Sequence, residues 1–178
     1  MASLAELLAS PQAVGGWTLV PDRSRIGFSN RTFWGAAKVK GSFSDFSGEG
    51  QITESGAVIG RVDVRSASLS TGIGKRDAHL RSEEFFDVDA HPEISVVVTA
   101  AEPRDTDRAD LRADLRIKGV TRKIELPAVV RVLDDGAIRI AGETTIDRTD
   151  FGVSGNLIGM MGPKSGVSAD LVFRRATA

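Results

Sequence analysis

From Trp17 onward, apolar side chains recur at every second position. Val58, Gly60, Val62 and Val64 interleave with Ile59, Arg61, Asp63 and Arg65; Leu111, Ala113, Leu115 and Ile117 interleave with Arg112, Asp114, Arg116 and Lys118. The same period runs through Ile124–Val132, through Ile138–Ile146, and through Val167, Ala169, Leu171 and Phe173. A two-residue period places one apolar and one solvated face on each segment, which is the pattern of antiparallel strands. Turn residues separate the runs: Asp134-Asp135-Gly136 in a hairpin, a polar loop at Pro103–Asp110, and Gly48, Gly50 and Gly56 near residue 50. The pattern predicts strands near 17–20, 25–33, 36–43, 46–53, 57–66, 93–102, 110–118, 121–133, 137–147 and 166–175. So many strands do not lie in one flat sheet, so a closed barrel or a two-sheet sandwich is expected. A barrel of about eight strands has an interior for side chains or one small ligand.

Two stretches break the alternation. Residues 73–89 are rich in helix formers, and a short helix is predicted near 74–86, linking strand 57–66 to strand 93–102 across one barrel end. Residues 1–16 form an N-terminal extension with a short amphipathic helix: Ser3 and Glu6 have capping-box spacing, and Leu4, Leu7 and Leu8 share a face. Pro11 and Gly15-Gly16 end it. The stretch lacks the basic start of a secretory signal, so a cytoplasmic address is expected, and no run approaches the roughly 18 apolar residues of a membrane helix.

The 178 residues make one principal domain, 17–178. Lys plus Arg is 23 against 24 Asp plus Glu, a balance that argues against a nucleic-acid partner. With no cysteine, thiol catalysis, disulfides and iron–sulfur clusters are excluded, and two histidines make a His-rich metal centre unfavourable.

Four segments, taken in order, carry a family resemblance. Lys75-Arg76-Asp77-Ala78-His79-Leu80-Arg81-Ser82, then Phe85-Phe86-Asp87-Val88 and His91-Pro92, resembles the RD-x-HLRS…FFDV…P signature of the YceI-like family. Gly119-Val120-Thr121-Arg122 is similar to that family's GVTR element, and Asp147-Arg148-Thr149-Asp150-Phe151-Gly152 to its R-x-D/E-F-G turn. Trp17, Pro21 and Ser24, with Gly41, Phe43, Phe46 and Gly48, resemble its N-terminal strands. The resemblance covers residues 17 to about 176, and departs from the family at Val20, at Arg23 and within Arg31–Trp34. It implies a lipocalin-like antiparallel β-barrel with an elongated pore for polyisoprenoids, isoprenoid quinones or fatty-acid derivatives. The resemblance implies no established reaction and no cofactor. Family members often pair, so a homodimer is expected.

Candidate site residues follow from the chemistry of such a ligand. Arg76, His79 and Arg81 read as a polar gate for a head group, since arginine donates paired hydrogen bonds to oxyanions. The competing reading is an ion-pair and capping network, with Asp77 as a structural partner. Phe28, Phe33, Trp34, Phe43, Phe46, Phe85, Phe86, Phe151 and Phe173 read as an apolar tunnel, or singly as packing. Residues 152–166, with Leu157, Ile158, Met160 and Met161 among glycines, read as a lid over the barrel end, or as an edge strand or dimer contact. A triad from Ser82, His79 and Asp77 has no nucleophile-elbow spacing, and a metal site from His79, His91, Asp87 and Asp89 is weak.

The expected function is non-enzymatic binding of a long-chain isoprenoid or acyl lipid inside the barrel. Two alternatives stay open: a filled barrel acting as an interaction module through its Gly/Met-rich loop, and an enzyme working within the pore. For the last, Thr144 is the only polar residue on the apolar face of its strand.

Overall fold

A computed structural model describes residues 3–155 and 161–177, apart from the Phe33 side chain. Eight antiparallel strands close into a ring: β1 (Gly15–Leu19), β4 (Phe46–Ile52), β5 (Val58–Arg65), β7 (Glu93–Pro103), β8 (Arg108–Ile117), β9 (Val120–Val132), β10 (Ile138–Asp147) and β11 (Met161–Arg175). The ring shuts where Trp17 pairs with Arg175 and Leu19 with Phe173. Three further strands extend it: β2 (Arg25–Thr32) pairs with the first part of β11, β3 (Ala37–Phe43) with β2, and β6 (Leu69–Ser70) with β3.

Chain order explains the extra strands. β1 and β2 are two halves of one broken stave, as are β3 and β4, and β5 and β6. The breaks fall at residues 20–24, 44–45 and 66–68. An interrupted ladder leaves backbone groups without strand partners, and buried ones must be matched. Serines do this. Ser24 Oγ accepts from the Val172 amide at 2.9 Å and donates to the Val20 carbonyl at 2.7 Å. Ser68 Oγ accepts from the amides of Ser44 (3.2 Å) and Asp45 (3.1 Å) and donates to the Arg65 carbonyl (2.7 Å). Ser66, only 1% exposed, donates to the His91 carbonyl at 2.8 Å. A short polar side chain replaces the missing ladder bonds, and the stave bends without leaving an orphaned group.

Past the third break, β6 ends the sheet order, and the gap on its free side is filled by α2 (Gly74–Arg81) and residues 82–92. Arg81 ties α2 to β6 through the carbonyls of Ala67 (3.0 Å) and Leu69 (2.8 Å). On the opposite side, Lys118 Nζ donates to the Glu83 carbonyl at 2.6 Å, and the Gly155 amide to the Glu84 carbonyl at 2.7 Å. The other barrel end is closed by α1 (Leu4–Ala9). Its capping box is formed, with the Ser3 amide donating to Glu6 Oε2 at 2.7 Å and the Glu6 amide to Ser3 Oγ at 3.2 Å. Six residues are too few for an independent helix. Leu4, Leu7 and Leu8 anchor it in a cluster with Trp17, Ile52, Leu111 and Ile138.

The expected strands are present, with three differences. β6 is two residues long and shows no alternation. The helix ends at Arg81 rather than 86, because Ser82 Oγ turns back onto the His79 carbonyl at 2.6 Å and turns follow. β11 begins at Met161 rather than 166, with a register irregularity against β2 between Met161 and Ser165, so residues 161–166 are strand rather than lid. Leu157, Ile158 and Met160 lie outside the described residues.

Candidate functional site: an apolar cavity with a cationic end

Strand alternation aims the apolar face of every stave at the barrel axis. Those side chains do not meet. They enclose a cavity of about 910 Å³ running from Leu4, Leu7 and Leu8 of α1 to Ile73, Lys75, Arg76 and His79 at α2. This is the size range of sites that engulf a small organic ligand. The barrel is therefore not the filled core that one sequence alternative allowed. On β10 and β11 the inward pairs Ile140–Leu171, Gly142–Ala169 and Thr144–Val167 line the wall. Three rings pack together on another part of the lining: Phe28 lies 5.4 Å from Phe43, and Phe86 is 6.1 Å from each. Gly41 sits opposite Phe28, and a Cβ there would fall 2.3 Å from the ring, so only glycine lets Phe28 lie flat on the wall.

Three basic residues of the lining, Lys75, Arg76 and His79, come from α2. Arg76 donates through Nε to Thr71 Oγ1 (2.7 Å) and through Nη2 to the Thr71 carbonyl (3.0 Å). Thr71 in turn donates its hydroxyl (2.5 Å) and amide (2.8 Å) to Asp77 Oδ1. These bonds from Thr71, ahead of the nearby Arg81 and Arg76 charges, hold the Asp77 carboxyl below the usual carboxylate range. His79 Nε2 lies 2.8 Å from Glu84 Oε2, with its ring edge-on to Phe85 at 5.0 Å.

Arg148 is the residue that sequence reading missed. It is 6% exposed, lines the cavity and directs its guanidinium at four carbonyls: Val153 (2.6 Å), Gly155 (2.9 Å), Gly162 (3.0 Å) and Met161 (3.1 Å). Burial pulls its pKa below the ordinary arginine value, yet a guanidinium keeps its charge. Asn30, also buried, donates to the Gly162 carbonyl at 3.2 Å. Among the described residues, the lining includes Lys75, Arg76, His79 and Arg148, and part-way along β5 Arg61, which pairs with Asp63, but no Asp or Glu. In a chain with near-equal charges, this interior is one-sided. The DRTDFG motif had marked the position of Arg148, but its burial follows from the fold.

Of the expected site residues, Phe28, Phe43, Phe85, Phe86, Phe173, Met161, Arg76 and His79 line the cavity. Four do not. Phe46 and Phe151 (2% exposed) are packed in the wall's own core. Arg81 uses its donors on the β6 side and acts as an anchor. Trp34 is 83% exposed at the β2–β3 tip, where its positive φ of 56° turns the chain. The Phe33 side chain, Leu157 and Met160 fall outside the described residues.

An antiparallel barrel of eight strands, with short helices at its ends and an apolar cavity inside, defines a lipocalin-like fold. The chain belongs to the YceI-like domain family, whose profile matches residues 17–173. A UPF0312 protein of Pseudomonas putida is 31% identical over 132 residues, covering 68% of this chain and 67% of its own. The barrel superposes on BcnA of Burkholderia cenocepacia with a TM-score of 0.78 at 18% identity, over 89% of this chain and 99% of that one. It superposes on a polyisoprenoid binding domain from Saccharophagus degradans, implicated in plant cell wall breakdown, with a TM-score of 0.75 at 19% identity, over 90% and 98% of the two chains.

Proposed function

We propose that this protein is a non-enzymatic carrier or store for one long-chain amphiphile, an isoprenoid or acyl lipid. The apolar chain occupies the barrel, and the head group sits at the end lined by Lys75, Arg76, His79 and Arg148. The observation that carries this reading is the apolar cavity with Lys75, Arg76, His79 and Arg148 gathered at one end and no carboxylate in its described lining. Each buried CH₂ contributes about 0.8 kcal/mol of gross driving force. Ordering the chain and leaving its aggregates offset much of that. The polar end fixes which way round the ligand enters. A binding role also fits the engagement of the polar groups. Thr71 holds Arg76 and carbonyls hold Arg148, so the guanidinium groups of the lining are fixed in place.

Native mass spectrometry of the protein purified from its host, followed by organic extraction, tests this. A stoichiometric bound lipid is expected, as is saturable uptake of the fluorescent fatty acid cis-parinaric acid. Val167→Trp, which fills the cavity from β11, is expected to abolish that uptake in a folded barrel. A clean apo mass with no uptake of the probe overturns the reading.

A further inference from the structure

We propose that the β2–β3 hairpin docks the barrel on an anionic lipid bilayer, with Trp34 among the head groups and Arg31, Lys38 and Lys40 against the lipid phosphates. Residues 25–43 contain four cations and no Asp or Glu, in a chain whose net charge is −1. Arg25 faces Asp170 across the β2–β11 ladder, whereas Arg31, Lys38 and Lys40 face no carboxylate across the β2–β3 ladder. Arg31 and Lys38 face one another directly across the ladder, where like charges are unfavourable. Both are exposed, as is Lys40, and no ion pair among the described residues includes any of the three. A surface that holds unbalanced positive charge at a cost to itself fits an anionic partner.

The tip adds an apolar group of a particular kind. Trp34 has φ 56° and ψ 34°, a left-handed conformation that bulky residues avoid, followed by Gly35 at φ 92°. Arg31 Nη1 reaches the Gly35 carbonyl at 3.4 Å across the turn. The turn holds an indole out in solvent, where it stabilises nothing in the barrel. Strained backbone of this sort persists where it serves a site. Tryptophan favours the interface between hydrocarbon and water, and juxtaposed Lys and Arg favour anionic lipid surfaces. A second copy of the chain would set the same positive face against itself in a two-fold pairing, which repels.

The hairpin is also continuous with the cavity. Its outer face carries Arg31, Lys38 and Lys40, while Thr32 and Val39 on its inner face line the cavity wall. β6 runs antiparallel to β3, so the chain leaving it heads toward the tip and reaches exposed Ile73 and then Lys75, both at the cavity's cationic end. Docking at this tip brings that end to the lipid surface, which a water-insoluble chain needs for transfer. The proposal stands on the outer face and goes beyond the carrier reading.

Co-sedimentation of the full chain with vesicles tests it, comparing phosphatidylcholine containing phosphatidylglycerol with phosphatidylcholine alone. Binding is expected only to the anionic vesicles, and is expected to weaken as salt shortens the Debye length toward about 3 Å. Each of Lys38→Gln and Lys40→Gln should lower affinity about fivefold. Trp34→Ser should lower it with an unchanged thermal melt. In the wild type, brominated lipid should quench the exposed indole, whereas buried Trp17 is shielded. No binding to anionic vesicles, equal binding to neutral ones, folded variants that keep wild-type affinity, or a hairpin-dependent dimer in place of vesicle binding would overturn the proposal. Vesicle binding is read without any cavity ligand. Its failure therefore leaves the carrier reading standing, and failed probe uptake leaves this one standing.

Discussion

Arg148 and Asp77 show how single side chains hold the cavity's polar end. Arg148 donates to the carbonyls of Val153, Gly155, Met161 and Gly162, so it fastens the segment after β10 to the start of β11. Arg148→Met keeps the apolar stem and removes every donor. Leaving buried carbonyls unpaired is expected to cost about 3 kcal/mol, measured by urea unfolding. Wild-type stability in Arg148→Met would show that water replaces the guanidinium without loss. Asp77 gives a pH signature. Its folded-state pKa lies below the unfolded value of about 3.9, so its stabilisation is present above that value and is lost as pH falls through the folded pKa. Asp77→Asn should lower the thermal midpoint at neutral pH and flatten the acid limb of its pH dependence. A parallel downward shift at every pH would assign its effect to something other than charge. The indole of Trp34 teaches a separate lesson. Beside Phe33 and in an apolar run it reads as cavity lining, but one positive φ reverses which way the chain presents it.

The strands were legible because an apolar alternation runs through most of their length, as in β5, β8, β9 and β10. The joints between half-staves were not, because serines make them and serine is unremarkable in sequence. Ser68 bridges two amides of the β3–β4 joint to the β5–β6 joint. Ser68→Ala is expected to cost about 1 to 2 kcal/mol and to raise hydrogen exchange at Ser44 and Asp45 in particular. Uniform exchange changes would place the effect elsewhere. The start of β11 was hidden for a related reason. Gly162, Pro163, Lys164 and Ser165 have no apolar alternation, and it is the pairing of Met161, Lys164 and Ser165 with β2 and β10 that carries the strand through them. Arg148 escaped because a charged residue reads as surface until the fold encloses it.

On the scale of the molecule, α1 and α2 stand at opposite ends of one cavity and differ in character. α1 presents leucines and α2 presents cations. Removing residues 1–10 should uncover the apolar end around Trp17 and Ala109, raise the fluorescence of an added hydrophobic dye and lower stability by about 2 to 4 kcal/mol. A truncated chain with wild-type dye response would show that the barrel closes without its helix. The cavity itself could not be read from the sequence, since alternation shows which side chains face inward but not whether they meet. The seam that shuts the barrel joins β1 to β11, and the Ala176 amide donates to the Gly16 carbonyl at 2.9 Å. The first and last strands are thus neighbours. During synthesis the growing chain remains an open sheet with unpaired edges until β11 emerges. The same adjacency makes the end of β11 and the start of β1 joinable. A chain linked end to end and cut at the Asp134–Gly136 turn would keep every strand pairing, with its closing seam moved to the β9–β10 hairpin.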